Sequence, residues 1–235
     1  MIRCPGCGSD DVKQSKELNS YICNRCRSTF FYDVNAQNES KNQTEKVHNE
    51  TIKQQEKDVF DFDRLLNSMV LLKTENTEGV GFIISEQGHI LTNAHVLDGA
   101  PFCFGQLAEK SKLIEFNVIA DGDSMKLDIC LLEPSTTDRF IPMKFSTKPV
   151  RIGQTVYTIG NPKGLGLSLS KGYVSQVKDD QIQLDMTVNS GNSGGPVLNE
   201  SGEVVGIISY LLKDVHGLGF AVNLAAINRF LESSK

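Results

Sequence analysis

From residue 58 onward, apolar residues gather in short runs separated by Gly, Asp, Asn and Pro. One series comprises Met69–Lys73, Val80–Ser85, His89–Leu91, Leu113–Ala120 and Ile129–Leu132. A second comprises Thr155–Ile159, Leu167–Val177, Ile182–Met186, Pro196–Leu198, Val204–Tyr210 and Leu218–Val222. Many short strands with regular turns predict an all-β barrel architecture. Val59–Leu66 predicts a short helix ahead of the strands. At the far end, Asn223 predicts the N-cap of a closing helix over 223–233, with Leu224, Ile227 and Leu231 inward.

Upstream the pattern changes. Over residues 33–57 only Val34, Ala36, Val47 and Ile52 interrupt a tract of Asn, Gln, Glu, Lys, Ser and Thr. Such a segment cannot bury enough surface to offset its ordering, which predicts a flexible linker. Residues 1–32 return to order, with strand character at Tyr21-Ile22 and Phe30-Phe31-Tyr32. There Cys4-Pro-Gly-Cys7 and Cys23-Asn-Arg-Cys26 form two C-x2-C knuckles, the spacing that brings four thiolates around one structural zinc. Paired disulfides and a rubredoxin-like iron site are the alternatives. Cys103 and Cys130 stand outside this set and receive no role.

The formal net charge of −5 gives no reason to expect nucleic-acid or membrane binding. No apolar leader or membrane-spanning run is present, which predicts a cytoplasmic protein.

The strongest chemical signal is Gly191-Asn192-Ser193-Gly194-Gly195-Pro196. Glycine costs backbone entropy wherever it is not needed. A tight turn of this kind exposes the Ser193 hydroxyl and aims backbone N–H groups at one point, as acyl transfer requires. A nucleophilic serine needs a base. Of the four histidines, only His95 directly follows an apolar strand pattern, Ile90-Leu91-Thr92-Asn93-Ala94. The imidazole in turn needs a carboxylate to fix its tautomer. Asp121-Gly122-Asp123 reads as a turn, whereas Asp128 opens the apolar run Ile129–Leu132 and would be costly there without a partner. Asp128 is therefore the candidate.

These blocks, in the order His, Asp, Ser, resemble the chymotrypsin-like serine proteases and, within them, the HtrA/Deg branch. Gly81–Ser85, Ile159-Gly160-Asn161-Pro162, Gly172–Ser175 and Gly219–Val222 extend the likeness over residues 58–235. The resemblance implies two six-stranded antiparallel β-barrels, about 58–145 and 146–222, with the active site between them. It implies a serine endopeptidase with triad His95, Asp128 and Ser193 and no catalytic cofactor. Gly191, Asn192 and Ser193 would form the oxyanion hole, and in this branch that loop can sit collapsed until activated. Asn192 stands where digestive relatives carry an aspartate that pairs with a newly cut N-terminus, so activation by clipping is not expected.

By the same pattern, Thr187, Ser209, Tyr210, Leu211 and Leu218 would shape the specificity pocket. Branched side chains there, with no acid to attract Lys or Arg, imply cleavage of protein or peptide substrates after Ala or Val. After Val222 too few residues remain for the PDZ-like domain of many relatives. Relatives are often trimeric through the start of the protease segment, which would use Phe60 and Phe62; otherwise these pack on the barrel. Residues 1–32, with their two knuckles, resemble a zinc ribbon, which would serve as a docking module for a protein partner or as a regulatory module. The competing reading is a catalytically silent protease-fold scaffold whose ribbon binds protein or nucleic acid.

Overall fold

The structure, a computed structural model, describes residues 2–15, 20–30, 61–107, 112–186, 188–189, 191–211 and 217–234. The linker expected over 33–57, and Phe31, Tyr32, Phe60 and Thr187, lie outside the described residues. The chain divides into two units, Met1–Lys57 and Asp58–Lys235.

In the first unit, β1 (Val12–Ser15), β2 (Ser20–Cys23) and β3 (Thr29–Phe30) form an antiparallel sheet in that order. Cys4, Cys23 and Phe30 form its buried apolar cluster, and Tyr21 stacks on Phe30 at 5.9 Å.

The second unit opens with α1 (Phe62–Leu66), capped by the Asp61 carboxylate, which accepts from Arg64 N at 3.0 Å. The first barrel follows: β4 (Met69–Lys73), β5 (Glu78–Ile83), β6 (Ile90–Thr92), β7 (Phe102–Leu107), β8 (Leu113–Asp121) and β9 (Cys130–Pro134). These close antiparallel in the order β4-β5-β6-β9-β8-β7. A short helix, α2 (Ala94–Leu97), leaves β6.

The second barrel is built from β10 (Thr155–Gly160), β11 (Ser168–Lys178), β12 (Gln181–Asp185), β13 (Pro196–Leu198), β14 (Val204–Leu211) and β15 (Leu218–Asn223). Its closed order is β10-β11-β12-β15-β14-β13. The chain ends in α3 (Leu224–Ser233), whose N-cap Asn223 accepts from Ala226 N at 2.9 Å.

Apolar burial explains the assembly. Val70, Ile83, Ile90, Phe116 and Leu132 fill the first barrel, and Val156, Val174, Ile182, Leu184 and Ile208 the second. A further core joins the two: Met69, Phe82 and Ile129 from one side meet Ile159, Leu198 and Ile207 from the other, sealed by Ile227 and Phe230 of α3. At roughly 1.5 to 3 kcal/mol per buried large side chain, this shared core fixes one barrel against its neighbour. The architecture expected from the strand pattern and the family resemblance is the one observed. β7 is the one strand of the first barrel that the apolar runs did not mark.

Candidate active site

β6 is buried at all its positions, and the chain leaves it through Asn93 into α2. His95 therefore sits in the first turn of a helix anchored by a rigid strand. Its ring Nδ1 lies 2.7 Å from Asp128 Oδ2, and its backbone N–H donates to Asp128 Oδ1 at 3.1 Å. Asp128 precedes β9 on a segment tied to Gly122 from both sides: Leu127 N donates to Gly122 O, and Gly122 N to Ile129 O, each at 2.9 Å. Asp121 instead accepts from Asp123 N within its own turn.

Burial pushes the Asp128 carboxyl up, but hydrogen bonds from the His95 ring, the Ser209 hydroxyl and His95 N–H outweigh it and hold the group below its ordinary range. An ionised carboxylate only accepts, so Nδ1 carries a proton towards it and Nε2 is left as the basic nitrogen. Of the other histidines, His89 Nδ1 pairs with Ser85 Oγ at 2.7 Å. His48 and His216 lie outside the described residues.

The nucleophile loop runs from Asn189 to Gly195, between β12 and β13. Asn192 N donates to Asn189 O, Gly195 N to Asn192 O and Asn161 N to Gly191 O, each at 3.0 Å. Gly194 shows why the turn needs glycine: φ is +81°, and a Cβ there would lie 2.0 Å from Val80 O. The loop is also hung on the first barrel, through Val80 N donating to Ser193 O at 3.1 Å. Asn192 is buried, and its Oδ1 has no hydrogen-bond partner among the described residues. Among those residues the Ser193 hydroxyl makes no hydrogen bond either. A cleft of about 110 Å³ lined by Glu78, Gly79, Asn161, Lys163, Gly164 and Gly191 adjoins the loop.

The residues expected to shape the specificity pocket scatter in role. Ser209 is buried and gives its hydroxyl to Asp128 Oδ2 at 2.7 Å. Tyr210 and Leu211 lie on β14, and Leu218 opens β15, half-buried. Residues that the sequence did not single out also belong here. Asn93 and Val80 bind the nucleophile loop from the first barrel, and Asn161 binds it from the second. A polar residue between a short buried strand and the candidate histidine was the available signal for Asn93.

In the first unit the Sγ atoms of Cys4, Cys7, Cys23 and Cys26 lie within 4.8 Å of one another. Cys4 and Cys26 approach to 3.5 Å, and Cys7 and Cys23 to 3.6 Å. Zinc–sulfur bonds of about 2.3 Å in a tetrahedron need sulfurs about 3.8 Å apart, whereas a disulfide needs about 2.05 Å. The Ser28 hydroxyl meets both Cys26, at 3.0 Å, and Cys4, at 3.3 Å, as an outer-sphere donor to metal-bound thiolates would. The donor set fits zinc.

Residues 79–207 match the family described as trypsin-like peptidase domain. A DegP-like periplasmic serine endoprotease from Pseudomonas savastanoi pv. phaseolicola is 37% identical over 155 residues, covering 61% of this chain and 32% of the relative. Another from Halomonas elongata is 36% identical over 155 residues, with the same coverage of 61% and 32%. The chain thus spans about a third of the length of these relatives. The crystal structure of the serine endoprotease from Yersinia pestis superposes with a TM-score of 0.66 and 27% identity, over 73% of this chain and 64% of that one. Both sequence relatives are named as periplasmic, which overturns the cytoplasmic location expected above. That expectation rested on a missing leader, and a missing feature does not name a compartment. Among the described residues no helix is long and apolar enough to cross a membrane.

Proposed function

Because the chain belongs to the trypsin-like peptidase domain family, we propose that it is an HtrA-like serine endopeptidase acting through His95, Asp128 and Ser193. The observation that carries this reading is the hydrogen-bonded pair of His95 and Asp128, with Ser193 on a loop fastened to the strand next to β6.

The chemistry follows from the geometry. His95 Nε2 takes the Ser193 proton as Oγ attacks the carbonyl carbon of the scissile peptide. Asp128 holds the ring and stabilises the imidazolium that forms. The N–H groups of Gly191 and Ser193 receive the oxyanion, each supplying about 3 to 4 kcal/mol of transition-state stabilisation. The imidazolium then protonates the departing amine. Water, deprotonated by the same ring, releases the acid and restores the Ser193 hydroxyl.

The substrates are unfolded or specific proteins, cut after small aliphatic residues such as Ala or Val. Leu218 supports that preference, since a branched side chain half-buried at the head of β15 narrows any slot beside β14. Cys4, Cys7, Cys23 and Cys26 hold a structural zinc, which stabilises a first unit too small for a sufficient core of its own. That unit docks a protein partner.

Digestion of an unfolded protein by the full chain and by Ser193→Ala, with the cut sites mapped, tests this. Cutting by the parent alone, after Ala and Val, is expected. Equal cutting by both, or by neither, overturns the endopeptidase reading, and cuts after Lys overturn the pocket assignment.

A further inference from the structure

Asn93 occupies the N-cap of α2 but does not cap it. An asparagine at this position ordinarily accepts from a backbone N–H in the first turn of its own helix. Here the amide is fully buried and turned elsewhere. Its Oδ1 accepts from Gly194 N at 2.6 Å, across the barrel interface and 101 residues away in sequence. Its Nδ2 donates to the main-chain carbonyl of Asp128 at 2.7 Å. The first-turn donor that Asn93 forgoes, His95 N–H, goes to Asp128 Oδ1 at 3.1 Å instead.

One side chain thus touches the segments that carry all three triad members. It lies two residues before His95, bonds the backbone of Asp128 and bonds the residue after Ser193. Thr92 completes the seat. Its hydroxyl donates to Val80 O at 2.8 Å, and Val80 N in turn donates to Ser193 O at 3.1 Å. A Cβ on Gly194 would come within 2.4 Å of the Thr92 hydroxyl, so the loop rests directly on this dipeptide.

We infer that Asn93 is a positioning residue that sets the placement of Ser193 against the His95–Asp128 pair, an assignment that rests on the endopeptidase reading above. Gly194 N also donates to Ile208 O at 3.1 Å, so the loop keeps an anchor in its own barrel when Asn93 is removed. What is lost is the bond that sets the Ser193 loop against the His95 and Asp128 segments, and displacement by about 1 Å in such a site costs on the order of 100-fold in rate.

The test compares the parent, Ser193→Ala, Asn93→Ala and Asn93→Asp by peptide hydrolysis across pH, by the rate at which a fluorophosphonate labels Ser193, and by thermal melting. For Asn93→Ala the expected result is a folded protein with kcat and labelling rate down on the order of 100-fold and KM little changed. Asn93→Asp keeps an acceptor for Gly194 but cannot donate to Asp128 O, and it adds negative charge near His95. Its kcat and labelling rate are therefore expected to fall as well with KM little changed, a split that a loss of folded protein would not produce.

A folded Asn93→Ala that labels at the parent rate overturns the inference. If that variant does not fold, Asn93→Asp decides, and a parent-like kcat and labelling rate overturn it. Failure of both to fold assigns Asn93 to folding alone and equally overturns it. A parent that neither cuts nor labels overturns instead the reading beneath.

Discussion

Ser209 donates its hydroxyl to Asp128 Oδ2 at 2.7 Å, the same oxygen that faces His95 Nδ1 at 2.7 Å. The carboxylate of the first barrel is thus completed by a strand of the second. Ser209→Ala removes one of the bonds that hold Asp128 below its ordinary range. A hydrogen bond to a charged group is worth about 1.5 kcal/mol where water can partly replace it, so kcat should fall roughly tenfold. Steady-state kinetics beside the parent checks this.

Asp128→Asn should be far more severe, about 10⁴-fold in kcat, because an amide presents a donor to Nδ1 and selects the wrong tautomer. The lowered pKa also has a stability consequence. A carboxyl depressed in the folded state contributes stability fully above its unfolded value of about 3.9, and loses it as pH falls through the folded value. Denaturant melts of parent and Asp128→Asn should therefore converge on acidification below about pH 4.

Gly194 and Gly99 form a matched pair, with φ of +81° and +79°. A Cβ at Gly99 meets nothing within 4 Å, whereas at Gly194 it meets Val80 O at 2.0 Å. Gly99→Ala should cost only backbone strain, about 1 to 2 kcal/mol. Gly194→Ala should cost more and abolish Ser193 labelling, since the nearest atom it strikes, Val80 O, is backbone. Thermal melts and fluorophosphonate labelling of the two variants give the comparison.

Cys103 and Cys130 are buried in the first barrel, and burial pushes both thiols up to about 12. At Cys130 burial is the largest cause, and nearby Asp121 contributes to the same rise. Thiols of this kind are inert. Native protein near pH 8 should resist iodoacetamide at both positions and react only after denaturation, as peptide mass mapping would show.

The purified protein should carry one zinc per chain, lost on substitution of Cys4 or Cys23 by serine. Elemental analysis measures the metal. Chelation should expose Cys4, Cys7, Cys23 and Cys26 to alkylation while Cys103 and Cys130 stay protected by their barrel.

Most of the second unit was legible because its strands carry continuous apolar runs. Met69–Lys73 and Pro196–Leu198 coincide with β4 and β13, and the Asn223 cap sits where its sequence context placed it. β7 was not legible. Its inward positions are Cys103, Gly105 and Leu107, while Phe102 and Phe104 face outward and hide the alternation. The polar partners of the candidate site were harder still. Ser209 sits inside an apolar strand and Asn93 at an apparent helix start, and each has a local explanation. Their bonds to Asp128 and Gly194 span 81 and 101 residues, distances over which a single sequence carries no pattern.

The division of the site between two barrels also governs when it can exist. Ser193 hangs on Val80 and Asn93, while Asp128 waits for Ser209, which follows Ser193 in the chain. A polypeptide emerging from its N-terminus therefore displays the serine before the strand that completes the carboxylate has been made. Until β14 and β15 close the second barrel, the growing chain holds the parts without the assembled centre. On the endopeptidase reading, cleavage by the nascent chain therefore waits until β14 has been made.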